Sequence, residues 1–327
     1  MTQIFLSPDR RHKNCAWLQP QTSMSNSKLT GILTTESDKI KHSIAGAVAG
    51  CVSSVVTCPL DVVKTRLQNQ RKGSSSVPLY KGTGGTLKRI WNEEGIRGLY
   101  RGLGPTLYGY LPTWAIYFSA YDHFKRAFAA ERTDHQSMVH IFAAMGAGAT
   151  STVVTNPLWV IKTRFMTQNV TSTHRYHNTY HAFKTILRTE GVKGFYKGLG
   201  PSLMGVSHVA VQFPLYEKLK ILLKSSDQED LSYPAILFAS IVSKMAASLA
   251  TYPHEVVRTR LQSQSTQPHR YHGMFHAVKV IYHEEGWIAF YKGMNTNLLR
   301  TVPASALTIL TYEILLRRLS AGSTKGG

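Results

Sequence analysis

Long stretches of this chain carry no charged side chain or only one, and they recur at regular intervals. Each runs for about 18 to 25 residues, and a helix needs about 20 apolar residues to cross a bilayer. The six stretches are Ser43–Leu60, Gly102–Tyr121, Ser137–Ile161, Gly198–Tyr216, Leu231–His254 (broken by Lys244) and Asn295–Tyr312 (broken by Arg300). The pattern predicts six membrane-spanning helices. Buried helices of a soluble repeat protein are the alternative, which closely spaced small residues such as Gly46 and Gly50 disfavour.

A charged motif near the end of every odd-numbered stretch shows that the chain is a threefold tandem repeat. The motif combines a proline, an acid, a base and an arginine at fixed spacing, and its copies lie about 100 residues apart. The copies are Pro59-x-Asp61-x-x-Lys64-x-Arg66, Pro157-x-Trp159-x-x-Lys162-x-Arg164 and Pro253-x-Glu255-x-x-Arg258-x-Arg260. The second copy therefore has a tryptophan in place of the acid.

A second motif, a Glu-Gly pair followed by an aromatic residue, a base and a glycine, also occurs three times. The pairs lie at 94–95, 190–191 and 285–286. Apolar Leu87, Ile90 and Trp91 precede the first pair at helical spacing. Because glycine suits the C-terminus of a helix, we expect a short amphipathic helix that ends at each pair.

These patterns predict an all-α membrane protein with six transmembrane helices in three tandem two-helix repeats. Repeats of two spans all enter the membrane from the same side, which implies threefold pseudosymmetry about an axis along the membrane normal and a central cavity. The short amphipathic helices would lie on one side of the membrane. The expected segments are an N-terminal extension (1–40), the repeats 41–130, 137–224 and 232–318, and a C-terminal tail (319–327).

Composition narrows the possible partners. A net charge of +20 fits an anionic partner, which can be nucleic acid, anionic lipid or a phosphorylated solute. A nucleic-acid-binding protein would not explain the apolar stretches, and the basic residues form no single patch. Nucleotide-binding and hydrolase motifs are missing, which disfavours an enzyme. The three cysteines show no metal-ligand or disulfide spacing, so we expect neither a cofactor nor a metal.

The acid and base of each motif lie three residues apart and therefore share one face of a helix. Charges in a membrane-spanning helix are costly unless they are paired or face water. Around a threefold axis, the acid of one repeat can meet the base of another. The predicted pairs are Asp61 with Lys162 and Glu255 with Lys64. Trp159 leaves Arg258 without an acid, so we expect a ring of two pairs at one end of the cavity.

A second ring of charges is predicted at the far end of the even-numbered helices. Its members are Asp122 with Lys125, Glu217 with Lys220, and Glu313, which has a leucine where the other acids have a lysine. Solvated helix ends are the alternative. Within the spans, Lys244 and Arg300 are isolated cations that suit phosphate or carboxylate in the cavity, although Lys244 can also reach towards the interface.

Together, the three motifs closely resemble the mitochondrial carrier family over about residues 41–318. The resemblance implies a monomer in the inner mitochondrial membrane that alternates between cytoplasmic-open and matrix-open states. The motif ring would be the matrix gate, with Gln68 and Gln262 as braces where the second repeat has Met166. The second ring would be the cytoplasmic gate. Gly102, Gly198 and Gly293 would bind cardiolipin-type lipid at helix N-termini.

Within the family, several segments are similar to the branch that carries NAD+, FAD or folate, and pyrimidine nucleotides. The segment Leu299–Ala306 most resembles NAD+ carriers, which implies exchange of NAD+ for (d)AMP- or (d)GMP-like nucleotides. Pyrimidine-nucleotide and FAD/folate transport remain the alternatives. The implied substrate contacts are Gly109, Tyr110, Trp114, Gly205, Val206 and Arg300. Trp114 can stack on a base or face lipid.

Overall fold

The computed structural model describes residues 26–71, 79–129, 136–169, 175–223, 233–265 and 270–323, and every regular element in these ranges is a helix. The helices are α1 (Asn26–Asn69), α2 (Gly82–Leu99), α3 (Leu103–Ala129), α4 (Gln136–Thr167), α5 (Thr179–Glu190), α6 (Val192–Phe195), α7 (Leu199–Met204), α8 (Ser207–Leu223), α9 (Tyr233–Ser263), α10 (Met274–Glu285) and α11 (Met294–Ser323), with a 3-10 helix (Trp287–Tyr291) before α11. The all-α class is confirmed.

The helices follow the predicted repeat. Each repeat begins with a long helix that contains the motif proline (α1, α4, α9) and continues with a short helix (α2, α5, α10). The N-terminal extension and the tail differ from expectation, because α1 already begins at Asn26 and α11 continues to Ser323. Residues 1–25 of the extension and 324–327 of the tail lie outside the described residues.

The stretch Gly198–Tyr216 is not the single continuous helix that its lack of charge predicts. It is divided into α7, of 6 residues, and α8, of 17 residues. At the break, Val206 N–H donates to the Leu203 carbonyl and His208 N–H to the Gly205 carbonyl, so the backbone bonds span three residues instead of four. This tightening is typical of a 3-10 turn. It places Gly205 and Val206, two predicted substrate contacts, at an interruption of the helix.

The short helices pack their apolar faces on the C-terminal parts of the long helices. Three equivalent clusters result, centred on Ile90, Ile186 and Ile281, each at most 1% exposed. Burial of an isoleucine contributes about 1.5 to 3 kcal/mol. Trp91, expected on the same face as Ile90, is instead 54% exposed.

Each short helix ends at its Glu-Gly pair, as predicted. Gly95 interrupts α2 with φ +64°, and Gly191 and Gly286 terminate α5 and α10 with φ +67° and +78°. Residues with a side chain rarely adopt a backbone φ in this positive region, so glycine is required at these positions. The helix is therefore interrupted at the same point in all three repeats.

Two helical segments of the described residues are by themselves long and apolar enough to cross a membrane, Ala45–Asn69 and Trp287–Leu315. The chain divides into two units by its internal contacts. One unit joins the part of α1 up to Ser53 to the part of α11 from Ala304, where the Ser53 hydroxyl donates to the Ala304 carbonyl at 3.1 Å. The other, Ser54–Pro303, contains the motif charges described below.

Candidate functional site

The predicted pair between the first and third repeats is present. Lys64 Nζ lies 2.7 Å from Glu255 Oε2 and donates to Asn297 Oδ1 at 2.9 Å. Gln68 Nε2 approaches the same Glu255 oxygen at 3.4 Å and donates to the Tyr252 hydroxyl at 3.0 Å. Lys64 and Gln68, one helical turn apart, therefore hold one carboxylate together.

The second predicted pair is not formed in this structure. Asp61 Oδ1 lies 2.7 Å from Arg300 Nη1, whereas Lys162 Nζ lies over the Trp159 ring, 4.9 Å from its centroid. An aromatic face attracts a cation, so Trp159 partly replaces a carboxylate for the lysine of its own helix. The expectation that Asp61 would pair with Lys162 is thus wrong here, because the tryptophan that breaks the ring also engages this lysine.

Arg258 has no carboxylate partner among the described residues, in line with the missing acid at position 159. Its neighbour Gln262 accepts a hydrogen bond from the Thr163 hydroxyl at 2.8 Å, but the Gln262 amide nitrogen is buried without a partner. Asn156 Oδ1 is buried and unpartnered as well. The missing acid of the second repeat thus leaves Arg258 without a carboxylate, and the Gln262 amide nitrogen of the same third repeat has no partner, whereas the first repeat's equivalents, Lys64 and Gln68, are paired.

A further set of ion pairs, to which we assigned no role from the sequence, lies at the same end of the helices. The last arginine of each proline motif forms a two-pronged pair with the glutamate of a Glu-Gly motif at 2.5 to 2.9 Å. The pairs are Arg66–Glu94, Arg164–Glu190 and Arg260–Glu285. Both residue types recur in all three repeats, so their shared period was the available signal.

Each of these arginines also joins its repeat to another one. Arg260 Nε donates to the Gln68 carbonyl at 3.0 Å and Nη2 to the Gln70 carbonyl at 3.0 Å. Arg66 bonds the carbonyls of Met166 and Gln168 in the same way, and Arg164 bonds those of Gln262 and Gln264. These carbonyls end the long helices and have no partner within them. The three arginines therefore link the repeats in a closed cycle.

The bases of the aromatic-base-glycine motifs complete these clusters. Arg101 lies 2.8 Å from Glu94, Lys197 2.5 Å from Glu190 and Lys292 2.5 Å from Glu285. Burial alone would raise the pKa of Glu190, but the hydrogen bonds and charges of Arg164 and Lys197 outweigh it and hold the pKa below its usual range. Arg260 and Lys292 likewise lower the pKa of Glu285 against the effect of its burial.

These pKa shifts predict that the protein loses stability in acid. Unfolded glutamate titrates near pH 4.3, so the stabilisation by Glu190 and Glu285 is complete above about that pH and is lost as pH falls through their lower folded-state pKa values. Thermal melting of detergent-solubilised protein from pH 7 to pH 3 will show the decline. A Glu190→Gln/Glu285→Gln variant should have a lower melting temperature at pH 7 and a flatter decline; a decline parallel to wild type would contradict this assignment.

Gly102, Gly198 and Gly293 directly precede α3, α7 and α11, and their φ angles are positive, at +85°, +77° and +83°. A Cβ on any of them would lie 3.1 to 3.2 Å from a backbone carbonyl of a neighbouring long helix. Glycine is therefore needed for both conformation and space. Near Gly293, a cavity of about 280 Å³ opens between the starts of α2 and α11, with Gly82, Thr83 and Thr296 in its lining.

The predicted substrate residues fall into two groups. Arg300 is engaged with Asp61, and Lys244 has no ion-pair partner among the residues that the structure describes. Gly109 and Gly205 instead lie against long helices, where an added Cβ would be 3.7 Å from Leu158 Cβ and 2.9 Å from His254 Nε2. The first distance is an ordinary contact and the second is too short, so of these two glycines Gly205 needs its small size for helix packing and Gly109 does not.

Aromatic side chains follow one side of α3. Trp114 stacks with Phe118 at a centroid distance of 5.5 Å and contacts Tyr110 and Tyr117 at 6.3 and 6.0 Å. Val206 packs near Gly148 on α4. Substrate contact by Tyr110, Trp114 and Val206 remains a prediction.

The predicted ring at the other end of the helices is unpaired in the unit Ser54–Pro303. Asp122, Lys125, Glu217 and Lys220 form no ion pair within the described part of that unit. Lys220 instead lies 5.8 Å from the centroid of the Tyr216 ring. Within the described part of this unit, ion pairs therefore occur at the motif end, whereas these four charges at the opposite end form none.

Comparison with known proteins finds the same threefold repeat along the chain. A family model described as mitochondrial carrier protein matches residues 36–132, 133–227 and 229–323. The chain is 45% identical to mitochondrial nicotinamide adenine dinucleotide transporter 1 of Saccharomyces cerevisiae, over 86% of this chain and 78% of that one. It is 44% identical to the chloroplastic nicotinamide adenine dinucleotide transporter 1 of Arabidopsis thaliana, over 85% and 91%. It is 34% identical to human solute carrier family 25 member 33, over 84% and 94%.

The three matched segments follow one another along nearly the whole chain, with the same threefold period as the motifs and the helices. The repeats expected from the sequence, 41–130, 137–224 and 232–318, each lie inside one matched segment, and their exact bounds stay a prediction. This chain is therefore a member of the mitochondrial carrier protein family.

Proposed function

We propose that this protein is a monomeric transporter of the inner mitochondrial membrane that exchanges NAD+ for (d)AMP- or (d)GMP-like nucleotides through six spans. The higher identity to the two relatives named for nicotinamide adenine dinucleotide, 44 to 45% against 34% for the human carrier, supports NAD+ over the alternatives. The proposal rests on two isolated cations within apolar stretches, Arg300 and Lys244, and on the buried Arg300 Nε, which has no hydrogen-bond partner among the described residues.

These cations suit a dinucleotide. NAD+ carries a pyrophosphate with two negative charges, and guanidinium binds phosphate oxygens with two parallel hydrogen bonds. Arg300 interrupts the last apolar stretch and Lys244 the fifth, so each is costly within a membrane unless it serves a ligand or a partner. The charge that anionic nucleotides bring would offset this cost.

The difference between the two ends supports a state open to the cytoplasm. The motif end, which becomes the matrix gate in this proposal, is closed by Lys64–Glu255, Asp61–Arg300 and the arginine cycle. Asp122 and Glu217 at the opposite end are free of ion pairs in their unit. Alternating access then requires the first set to break while the second forms.

A cardiolipin-type lipid would bind near Gly102, Gly198 and Gly293. The cavity beside Gly293 lies between two helix N-termini, where backbone N–H groups and the helix dipole attract phosphate. Thr83 and Thr296 hydroxyls, 2.8 Å apart, contribute further hydrogen-bonding groups.

Transport by reconstituted protein tests the function. Liposomes loaded with AMP should take up labelled NAD+, and uptake should stop without an internal nucleotide. Parallel vesicles with FAD, folate and pyrimidine nucleotides measure the alternatives. Faster uptake of any of these than of NAD+ would contradict the proposed substrate, and failure of all nucleotides would contradict nucleotide transport.

Trp159→Asp is expected to slow this exchange. The new carboxylate would give Arg258 its missing partner and stabilise the closed matrix side. Two charges 4 Å apart attract by about 4 kcal/mol at an effective dielectric of 20, before desolvation, so a net gain of about 1 kcal/mol would slow opening roughly fivefold. Initial uptake rates are compared with Trp159→Asn, which has a similar shape to aspartate without its charge. Unchanged or faster transport by Trp159→Asp would contradict this interpretation.

A further inference from the structure

The ion pair between Asp61 and Arg300 joins two roles that the sequence keeps apart. Asp61 belongs to the charged motif of the gate, and Arg300 is the arginine expected to bind the solute. Their atoms are 2.7 Å apart, with side chains 14% and 30% exposed respectively. In this state, the guanidinium that would hold an anionic solute is already holding a carboxylate.

The surroundings explain why Asp61 takes this partner. Lys64, on the same helix face, is engaged by Glu255 and Asn297. Lys162 lies over the Trp159 ring. Arg300 is thus the cation left for Asp61, and its planar fork is well matched to a carboxylate.

We infer that Asp61 is a specificity-determining residue, whose carboxylate occupies the anion site of Arg300 until an anionic group of the solute replaces it. The inference rests on the proposed function only in taking that group to be a phosphate of the solute. Asp61 therefore acts as an internal competitor. A solute that carries a single weak acceptor would bind Arg300 little better than the Asp61 carboxylate does, and its net binding free energy would be small. A pyrophosphate carries more charge and has a second cation available at Lys244, so its net binding free energy would be larger.

Displacement also connects solute binding to the gate. Lys162 lies over the Trp159 ring and has no ion pair among the described residues. Once phosphate neutralises Arg300, the released Asp61 carboxylate has Lys162 as its available cation. Solute binding would thereby exchange the Asp61–Arg300 contact for an Asp61–Lys162 contact between the first and second repeats. A ligand shifts a conformational equilibrium only by such a difference in contacts.

Equilibrium binding of NAD+ to purified protein tests the competition. If the ion pair is formed about nine-tenths of the time, the apparent affinity is about tenfold below its intrinsic value. Asp61→Asn keeps the shape of the side chain and removes its charge, so we expect NAD+ to bind about tenfold more tightly. Glu255→Gln is the matched control, because it removes the other gate acid, whose partner is Lys64 and not Arg300. It should tighten binding less than twofold.

The double variant Asp61→Asn/Arg300→Gln separates competition from a general loosening of the gate. Without Arg300, removal of Asp61 should no longer tighten binding, so the double variant should match Arg300→Gln. Equal tightening by Asp61→Asn and Glu255→Gln, or tightening that persists without Arg300, would overturn the inference.

The same variants distinguish this inference from the proposed function. If NAD+ does not bind but AMP, UTP or inorganic pyrophosphate does, the NAD+ assignment fails. The affinities of wild type and Asp61→Asn are then compared for the anion that binds, and a tenfold difference is again expected. If none of these anions binds, the inference fails as well. Ligand-free melting temperatures provide an independent check: the shifts of Asp61→Asn and Arg300→Gln should not be additive in the double variant, and additive shifts would show that the two residues are not paired.

Discussion

Glu285→Gln is expected to lower the free energy of unfolding by about 3 to 5 kcal/mol, the usual cost of breaking a buried ion pair from one side. The Arg260 and Glu285 side chains are 0% and 1% exposed and are joined by two hydrogen bonds of 2.5 and 2.9 Å. The substitution leaves the Arg260 and Lys292 charges without a carboxylate. Because Arg260 also bonds the Gln68 and Gln70 carbonyls, the contact between the third and first repeats should weaken as well.

The melting temperature in detergent should fall by about 6 °C or more, at about 2 °C for each kcal/mol in a protein of this size. Glu284→Gln is the matched control, since the same change at the preceding residue affects the Arg270–Glu284 pair, in which both side chains are 42% exposed. Such a pair contributes less than about 1 kcal/mol. Equal shifts for the two variants would show that the buried cluster does not stabilise the structure.

Arg300→Ala is expected to reduce NAD+ exchange by about 100-fold or more. Truncation of one member of a desolvated charge pair costs about 2 to 5 kcal/mol, in part because the other charge remains buried. Here the loss has two parts, since the solute phosphate loses its guanidinium and Asp61 loses its partner. The measurement is the initial rate of labelled NAD+ uptake by reconstituted liposomes at equal protein incorporation.

Two further variants make the result specific. Arg300→Lys keeps the charge without the planar fork and should retain partial activity. Arg97→Ala removes an arginine on the exposed face of α2, outside the site, and should transport like wild type. Activity of Arg300→Ala within about threefold of wild type would exclude Arg300 from solute binding.

The charge pairs at the motif end show which contacts residue spacing can predict and which it cannot. The threefold period predicted which repeats exchange charges, and the Lys64–Glu255 pair follows that prediction. The same rule failed for Asp61, because it treats Trp159 only as a missing acid. The cation–aromatic contact between Lys162 and Trp159 depends on side-chain direction, which the period of a motif does not contain.

The sequence by itself determined the all-α class, the threefold repeat, the ends of the short helices and the family. Each of these depends on local patterns: apolar length, a fixed motif period, and glycines that must adopt positive φ. The tertiary structure alone decided the break between α7 and α8, the arginine cycle that links the repeats, and the partner of Arg300. These features arise from contacts between residues far apart in the chain, where several cations compete for one carboxylate and the outcome depends on distance and geometry.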